Sequence, residues 1–366
     1  MIGDSRSPNS RRLGVALTEE EMRGNRQGLG RRALGRLVPA SAGPSPAGWI
    51  RLNTNESTFA PSARVVAAID DAARTANRYP DPCGEPLRTR LAVHHGVSVG
   101  SILVSHGADG VLGVCFRAFC DPGSPVMLLD PTYPFLHNLA ELAGATIVRM
   151  PSPELLFTAS RSANGGMTIL VNPSNPLGTW WPPDKVASNA PSGGVFVVDE
   201  AYADFAPASL SALTVSHPNW IVVRTFSKAY GLAGVRLGYA IGNEELIARL
   251  SLAQDPYPVS TLAIAAGLAA LDDEVYYARN VASVCAERSR LTHGLRELGW
   301  TVDESFANFI FGKPPLPSEV RRYLEILRLE RIHVRTFMNA PDGLRISVGQ
   351  PGDNDAFLRA IGTAPG

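Results

Sequence analysis

Lysine is scarce in this sequence. Only Lys185, Lys228 and Lys313 are present, although lysine and arginine together number 34. An arginine stays protonated, whereas a lysine can lose its proton and attack a carbonyl. We therefore expect a retained lysine to perform chemistry that arginine cannot, and Lys228 stands in the most unusual setting, the glycine-rich stretch "RTFSKAYGLAGVRLGYAIG".

Cysteine is also rare. The four cysteines, Cys83, Cys115, Cys120 and Cys285, form no CxxC pair. This spacing supports neither a zinc site nor a disulfide framework, so no metal centre is predicted. Reduced thiols in a cytoplasmic protein are the expectation.

The sequence has neither an excess of one charge nor a long apolar run. It carries 34 acidic and 34 basic residues, and no basic stripe appears beyond the first forty residues, so a nucleic-acid partner is not expected. The longest apolar stretch, Thr261–Leu271, is too short to cross a bilayer, so no membrane partner is expected either.

The first thirty residues differ in composition from the rest. They are rich in arginine, serine, asparagine and glycine, and they lack the apolar core of a signal peptide. We predict that residues 1–30 form a flexible N-terminal tail.

From Ser101 onward, short apolar runs alternate with helical patterns. The runs in "MTILVNPSNPLGT", "GGVFVVDEAY" and "WIVVRTFSK" are continuous and β-branched, which is typical of strands covered on both faces. The fold class predicted is α/β: a large domain (61–254) with a mainly parallel central sheet flanked by helices, plus a smaller α+β domain (255–366). Residues 31–60 are expected to be an N-terminal segment that joins the smaller domain.

Polar residues follow several of these strands directly. They fall at Asn172–Asn175, Asp199–Tyr202 and Ser227–Lys228. In open α/β sheets, ligands bind outside the carboxyl ends of the strands. We therefore predict that these side chains meet in one crevice at the edge of the sheet.

Two glycine-rich turns could hold a phosphate. One follows Ser227 and Lys228 and leads to Arg236, and the other, His106–Gly110, opens a helix whose first N–H groups favour an anion. A lysine for an aldehyde, the carboxylate of Asp199 for a ring nitrogen, and phosphate donors are together what pyridoxal 5′-phosphate (PLP) requires.

Ten stretches, in order along the chain, resemble the PLP-dependent aminotransferases of fold-type I (class I/II), and within them the histidinol-phosphate aminotransferase family. They are "IRLNTNES", "RYPDP", "GADG", "DPTYPF", "NPSNPLGT", "VVDEAYADF", "RTFSKAYGLAGVRLGYAIG", "DPYPVS", "NFIF" and "LRISVG". Each motif is weak alone, but ten in family order are specific.

The resemblance implies a role for each matching residue. The catalytic residues would be Lys228, Asp199 and Tyr202. Lys228 would form the Schiff base with the cofactor and then carry protons, and Asp199 would pair with the ring nitrogen. The cofactor-binding set is Ala108, Asp109, Tyr133, Asn175, Asp199, Tyr202, Ser227, Lys228 and Arg236, with Tyr79 reaching the phosphate from a partner subunit, which implies a homodimer. The substrate-binding set is Asn55, Tyr257, Arg335 and Arg345.

The implied reaction transfers an amino group between an L-amino acid or histidinol phosphate and a 2-oxo acid such as 2-oxoglutarate. The sequence departs from the family where "NESTF" replaces the usual "NENPY", so Phe59 lacks a hydroxyl. We hypothesise that Phe59 gives the site an apolar wall, better suited to an aromatic or aliphatic side chain. Histidinol phosphate and another amino acid, of specialised metabolism, are then equal alternatives as substrate. A PLP-dependent decarboxylase or lyase on the same scaffold is the alternative.

Overall fold

The computed structural model describes residues 32–37, 46–162, 166–191 and 193–363. The predicted flexible tail, residues 1–30, lies outside these described residues. Within them, the chain forms an alternating series of strands and helices followed by a second group of strands.

The helices are α1 (Ala63–Ala73), α2 (Glu85–His95), α3 (Gly107–Phe119), α4 (Phe135–Ala143), α5 (Pro153–Ser162), α6 (Pro183–Asn189), α7 (Glu244–Ala253), α8 (Thr261–Leu271), α9 (Glu274–Glu297), α10 (Val320–Leu329) and α11 (Pro351–Gly362). The strands are β1 (Ile50–Arg51), β2 (Ile102–Ser105), β3 (Pro125–Leu129), β4 (Thr146–Met150), β5 (Met167–Val171), β6 (Val195–Asp199), β7 (Trp220–Thr225), β8 (Gly238–Gly242), β9 (Thr301–Val302), β10 (Phe309–Lys313), β11 (Ile332–His333), β12 (Arg335–Phe337) and β13 (Ala340–Ser347). Among the described residues, no helix is both long and apolar enough to cross a membrane.

A seven-stranded sheet forms the centre of the molecule, in the order β2-β8-β7-β6-β5-β3-β4. All neighbours are parallel except β8, which runs antiparallel to β2 and to β7. Asp199 is paired with Val171 on one side and Val223 on the other, so β5, β6 and β7 end at the same edge. The prediction of a mainly parallel sheet is confirmed.

Both faces of this sheet are covered, which explains the continuous apolar runs. Every residue of β5 and β7 is buried. One core cluster joins one face to α1, α2, α5, α6 and α8, and a second joins the other face to α3, α4 and α7. The strand ends are therefore held between two helical layers and open only at the sheet edge.

A four-stranded antiparallel sheet, in the order β12-β13-β10-β9, lies further along the chain. Its core cluster includes residues of α9, α10 and α11. The short strand β1 pairs in parallel with β11, through Ile50 with Ile332. The segment that follows β1 lies beside the four-stranded sheet, where the nitrogen of Ser347 in β13 donates to the carbonyl oxygen of Leu52 at 3.0 Å.

The sequence assigns everything after residue 254 to the smaller domain, but α8 packs elsewhere. Its residues belong to the core cluster of the central sheet, where they contact α1 and α2. Helix α8 can approach Leu237 closely because it is built of small residues. A Cβ on Gly267 would lie 2.6 Å from Leu237 Cδ2. The apolar pattern revealed a buried helix but not which sheet would bury it.

A buried ion network fixes the ends of β6 and β7. Arg224 donates from Nη1 to Glu200 Oε2 at 3.0 Å and from Nη2 to Asp204 Oδ1 at 2.6 Å. Tyr277 of α9 donates to the same oxygen of Asp204 at 2.8 Å. Removing one member of such a network leaves a buried charge without its partner, at a cost of about 3–5 kcal/mol. The backbone around Asp199 is thus rigidly held.

Gly238, the first residue of β8, touches the start of α3. A Cβ at this position would lie 2.5 Å from the carbonyl carbon of Gly107 and 2.6 Å from the nitrogen of Ala108. Both are backbone atoms, so neither can rotate away. Only glycine lets β8 run this close to the first turn of the helix.

We predict that Gly238→Ala lowers the free energy of unfolding by about 1–3 kcal/mol, because the added methyl must push α3 away from the sheet. Denaturant titration measures the change. The matched control is Gly352→Ala in α11, where a Cβ would meet nothing within 4 Å. Equal stabilities for the two variants would contradict the prediction.

Candidate active site

A cavity of about 430 Å³ opens where the strand ends of the central sheet face the four-stranded sheet. Most of the predicted site residues line it: Asn55, Ala108, Asp109, Tyr133, Asn175, Asp199, Tyr202, Ser227, Lys228, Arg236, Arg335 and Arg345. The crevice that the sequence predicts is therefore present, with contributions from both sheets.

Lys228 lies three residues beyond β7 and is the one lysine of the cavity lining. Its Nζ donates to the carbonyl oxygen of Thr54 at 3.2 Å and lies 5.8 Å from the centre of the Tyr202 ring. Burial, aided by the positive charge of Arg345, lowers the pKa of the Lys228 amine to about 8. The uncharged amine, the form able to attack a carbonyl, is therefore far more abundant near neutral pH than for an ordinary lysine.

Asp199 ends β6 at the base of the cavity and is 3% exposed. Its Oδ1 accepts a hydrogen bond from the nitrogen of Ala201 at 3.1 Å, and within the described chain no other donor reaches the carboxylate. Burial raises the pKa of the Asp199 carboxyl to about 7. A cationic N–H placed beside it would restore the ionised form.

The hydroxyl of Tyr202 is a meeting point for three segments. It accepts from Asn55 Nδ2 at 3.1 Å and from Asn175 Nδ2 at 3.3 Å, so its own hydrogen remains available to a ligand oxygen. Burial raises the pKa of Tyr202, which keeps this hydrogen in place. Asn175 in turn accepts from Arg345 Nη1 at 2.7 Å.

The first turn of α3 provides one end of the cavity. Its leading N–H groups, including that of Ala108, have no partner within the helix and favour an anion. Asp109 Oδ1 accepts from the Tyr133 hydroxyl at 3.0 Å, and Asp109 Oδ2 accepts from Arg236 Nη2 at 3.0 Å. Ser227 Oγ accepts from Thr225 Oγ1 at 3.0 Å and keeps its own hydrogen for a ligand.

Arg335 and Arg345 face each other across β12 and β13, where they form a register pair. Arg345 is 6% exposed, and its Nη2 donates to the carbonyl oxygen of Asn53 at 2.7 Å. Its buried Nε has no partner among the described residues. Burial lowers the pKa of Arg345 to about 10 and also lowers that of Arg335. Both arginines belong to the lining of the same cavity.

Tyr79 and Tyr257 lie outside the cavity lining. Their rings stack on each other, with centroids 4.5 Å apart, and Tyr79 is 81% exposed. In a single chain, neither of these two predicted site residues reaches the ligand space. Their sequence motifs identified them without indicating the surface on which they lie.

Phe59 does not form the apolar wall that the sequence suggests. Its side chain packs against a core cluster that includes Tyr202, Phe205 and Phe309, and it is absent from the described residues that line the cavity. Phe59 packs against this aromatic cluster instead of facing the site. The absence of a tyrosine hydroxyl therefore removes no group from the lining of this chain's own cavity.

Sequence reasoning missed several lining residues, among them Asn53, Thr54, Glu56 and Phe337. Glu56 stands inside the motif "IRLNTNES", directly after Asn55, so a signal was available. Phe337 carried none, because a single aromatic in a short strand is more often part of a core. It lies 5.1 Å from the guanidinium carbon of Arg345.

The donor set of the cavity fits PLP. A nucleophilic amine, a buried carboxylate, a hydroxyl with its hydrogen free and an anion-binding helix start correspond to the aldehyde, ring nitrogen, phenolic oxygen and phosphate of that cofactor. A Cβ on Gly107 would lie 2.9 Å from Arg236 Nη2, so the helix start and the guanidinium are in contact at the phosphate end. The residues present thus fit the cofactor by their chemistry.

The chain matches the family "Aminotransferase class I and II" over residues 47–361. It is 37% identical to histidinol-phosphate aminotransferase 1 of a Nostoc species over 338 residues, covering 90% of this chain and 95% of the relative. It is 38% identical to histidinol-phosphate aminotransferase 2 of Dechloromonas aromatica over 343 residues, covering 89% of this chain and 96% of the relative.

Among solved structures, histidinol-phosphate aminotransferase from Sinorhizobium meliloti, in complex with pyridoxal-5′-phosphate, is similar with a TM-score of 0.79. The two are 30% identical, and the match covers 86% of this chain and 89% of the other. The cavity and these matches lead to one conclusion: the chain belongs to the class I and II aminotransferases of PLP fold-type I and is a PLP-dependent aminotransferase.

Proposed function

We propose that this enzyme transfers an amino group between histidinol phosphate and a 2-oxo acid such as 2-oxoglutarate. The paired guanidinium groups of Arg335 and Arg345 carry the proposal, because a fork of two arginines suits a phosphate on one substrate and a carboxylate on the other. The names of the relatives support the same substrate. Other L-amino acids with an anionic group are the alternative donors.

Bound PLP supplies a ring that withdraws electrons from the Cα of the substrate. Lys228 Nζ would hold the cofactor and later carry the Cα proton, which its lowered pKa permits. Asp199 would keep the ring nitrogen protonated. Tyr202 and Asn175 would orient the phenolic oxygen, and Tyr133 would stack on the ring.

The phosphate of the cofactor would bind at the start of α3. The N–H groups of Ala108 and Asp109, the hydroxyl of Ser227 and the guanidinium of Arg236 all line that end of the cavity. Two N–H groups, a guanidinium and a hydroxyl stabilise a dianion better than water does when the groups are fixed in advance.

We also propose a homodimer with shared active sites. The exposed, stacked pair of Tyr79 and Tyr257 supports this, because exposed apolar surface of this kind marks an interface in which it becomes buried. Tyr79 would then reach the cofactor phosphate of the partner subunit, and Tyr257 would border the partner's substrate.

For the domain organisation, we propose that residues 31–60 join the smaller domain through β1. Residues 61–254 form most of the large domain, and α8 belongs to the large domain as well. The pairing of β1 with β11 and the packing of α8 support this division. The proposed location is the cytoplasm, in keeping with four free cysteines in the described chain.

Lys228→Ala should abolish the visible absorbance of the Schiff base between enzyme and cofactor and all turnover, because no other lysine lines the cavity among the described residues. Absorption spectra and borohydride trapping followed by peptide mapping make the measurement. The control is Lys185→Ala, whose amine lies over the ring of Trp181. Cofactor trapped on Lys185 or Lys313 would overturn the assignment.

Asp199→Asn should leave the protein folded and able to bind PLP, but kcat should fall by about a thousandfold or more. A neutral amide cannot hold the ring nitrogen protonated, and a missing charge-assisted interaction in the transition state costs several kcal/mol. Circular dichroism and cofactor titration establish folding and binding. A near-normal kcat would show that the carboxylate serves only the structure.

With 2-oxoglutarate as acceptor, kcat/KM should be highest for histidinol phosphate among a panel of L-amino acids. Arg335→Gln should lower it by about ten- to a hundredfold, the effect of one hydrogen bond to a charged group, whereas Arg328→Gln, an exposed control in α10, should not. A different donor that wins by orders of magnitude would reassign the substrate. Release of CO₂ without a pyridoxamine product would favour the decarboxylase.

A further inference from the structure

Glu56 is a cavity carboxylate without an assigned role. The described lining residues include three acidic side chains, Asp109, Asp199 and Glu56. Asp109 is engaged by Tyr133 and Arg236, and Asp199 faces the position of the ring nitrogen. Among the described residues, the Glu56 carboxylate bonds to none of these groups but to Arg51, and its negative charge partly offsets the lowering of the Lys228 pKa.

The backbone beneath Glu56 is firmly held. The preceding residue, Asn55, is 1% exposed, and its nitrogen and Oδ1 both bond to Ser347 Oγ at 2.9 Å. Its carbonyl oxygen accepts from Asn308 at 3.0 Å. Two residues after Glu56, the carbonyl oxygen of Thr58 accepts from Gln350 at 2.7 Å. The carboxylate therefore starts from a fixed position at the cavity wall.

The present partner of Glu56 is easily exchanged. Arg51 Nη2 lies 2.6 Å from Glu56 Oε1, but the two side chains are 54% and 40% exposed. Exposed ion pairs of this kind contribute little, because water and side-chain entropy compete with them. Arg51 does not belong to the described lining of the cavity, so it holds the carboxylate from the outside.

The charges of the cavity are arranged along its length. Arg335 and Arg345 present positive charge on the β12–β13 wall, and Glu56 presents negative charge on the wall formed by residues 53–56. An amino donor with an anionic group for the arginines and an N–H group elsewhere would meet a partner on each wall. A donor with a wholly apolar side chain would leave Glu56 with Arg51 alone.

We propose that Glu56 determines specificity by accepting a hydrogen bond from a nitrogen-bearing side chain of the amino donor, of the imidazole class, in exchange for Arg51. The inference rests on the proposed function and adds a second recognition point to it. An N–H donor gains a charge-assisted bond at Glu56, whereas a phenyl ring of the same size gains none.

The test compares two carboxylates that lack the reacting amino group, 3-(imidazol-4-yl)propionate and 3-phenylpropionate. Their affinities for the PLP-bound holoenzyme are measured by titration calorimetry. Glu56→Gln should weaken binding of the imidazole compound about tenfold, the effect of one charge-assisted hydrogen bond. Binding of the phenyl compound should change by less than about twofold, since it has no N–H to offer.

Arg51→Gln is the matched variant with the opposite expected sign. It removes the competing cation from Glu56, so affinity for the imidazole compound should rise by about two- to fivefold. Melting temperatures of both variants verify that folding is intact. Intact folding is expected, because both side chains of the pair are exposed.

Three results would overturn the role of Glu56. They are an equal loss for both compounds in Glu56→Gln, which indicates a structural effect, no change in either dissociation constant in that variant, and no binding of the imidazole compound to the unaltered holoenzyme. Failure of the proposed function shows separately, as the absence of a pyridoxamine product from histidinol phosphate. Calorimetry needs no turnover, so the two failures are distinguishable.

Discussion

The geometry of the site depends on one buried hydroxyl, that of Tyr202. It accepts hydrogen bonds from Asn55, in the segment beside the second sheet, and from Asn175, after strand β5. Asn175 extends the chain of bonds to Arg345 on β13. Since all these groups are buried, losing one leaves another without a partner, which costs more than the bond itself contributes. The walls from both sheets are therefore held in one arrangement before any ligand binds.

Burial also sets the charges in this cavity. It brings the pKa of Lys228 down to about 8 and that of Asp199 up to about 7, so each group is moved towards its neutral form. Between pH 3.8 and about 7 the folded chain holds the Asp199 proton that the unfolded chain has lost, so this group's contribution to stability falls as pH rises through that window. Lys228 is the reverse case: between about pH 8 and 10.5 the unfolded chain binds more protons, so its contribution falls as pH decreases. A ligand with an electrophilic carbon for the lysine and a cationic N–H for the aspartate removes both penalties.

Much of this arrangement could be predicted from the sequence, because continuous apolar runs identify buried parallel strands and polar residues mark their ends. The direction of β8 could not, since an apolar run reads the same in both directions. The packing of α8 against the central sheet could not be predicted either, because a uniformly apolar helix can be buried against either sheet. For the same reason the sequence could name Phe59 and Tyr79 but could not say that Phe59 packs into a core and Tyr79 lies on the surface, and it gave Glu56 no role.

The scarcity of lysine has a structural counterpart. Lys185 lies over the ring of Trp181 at 4.6 Å, and Lys313 Nζ pairs with Asp342 Oδ2 at 2.7 Å. Both are roles that a guanidinium fills equally well, since they need only a fixed positive charge. Lys228 differs, because its amine must release its proton to act, and an arginine in the same buried position would stay charged. Arginine could therefore take the place of Lys185 and Lys313, but not that of Lys228.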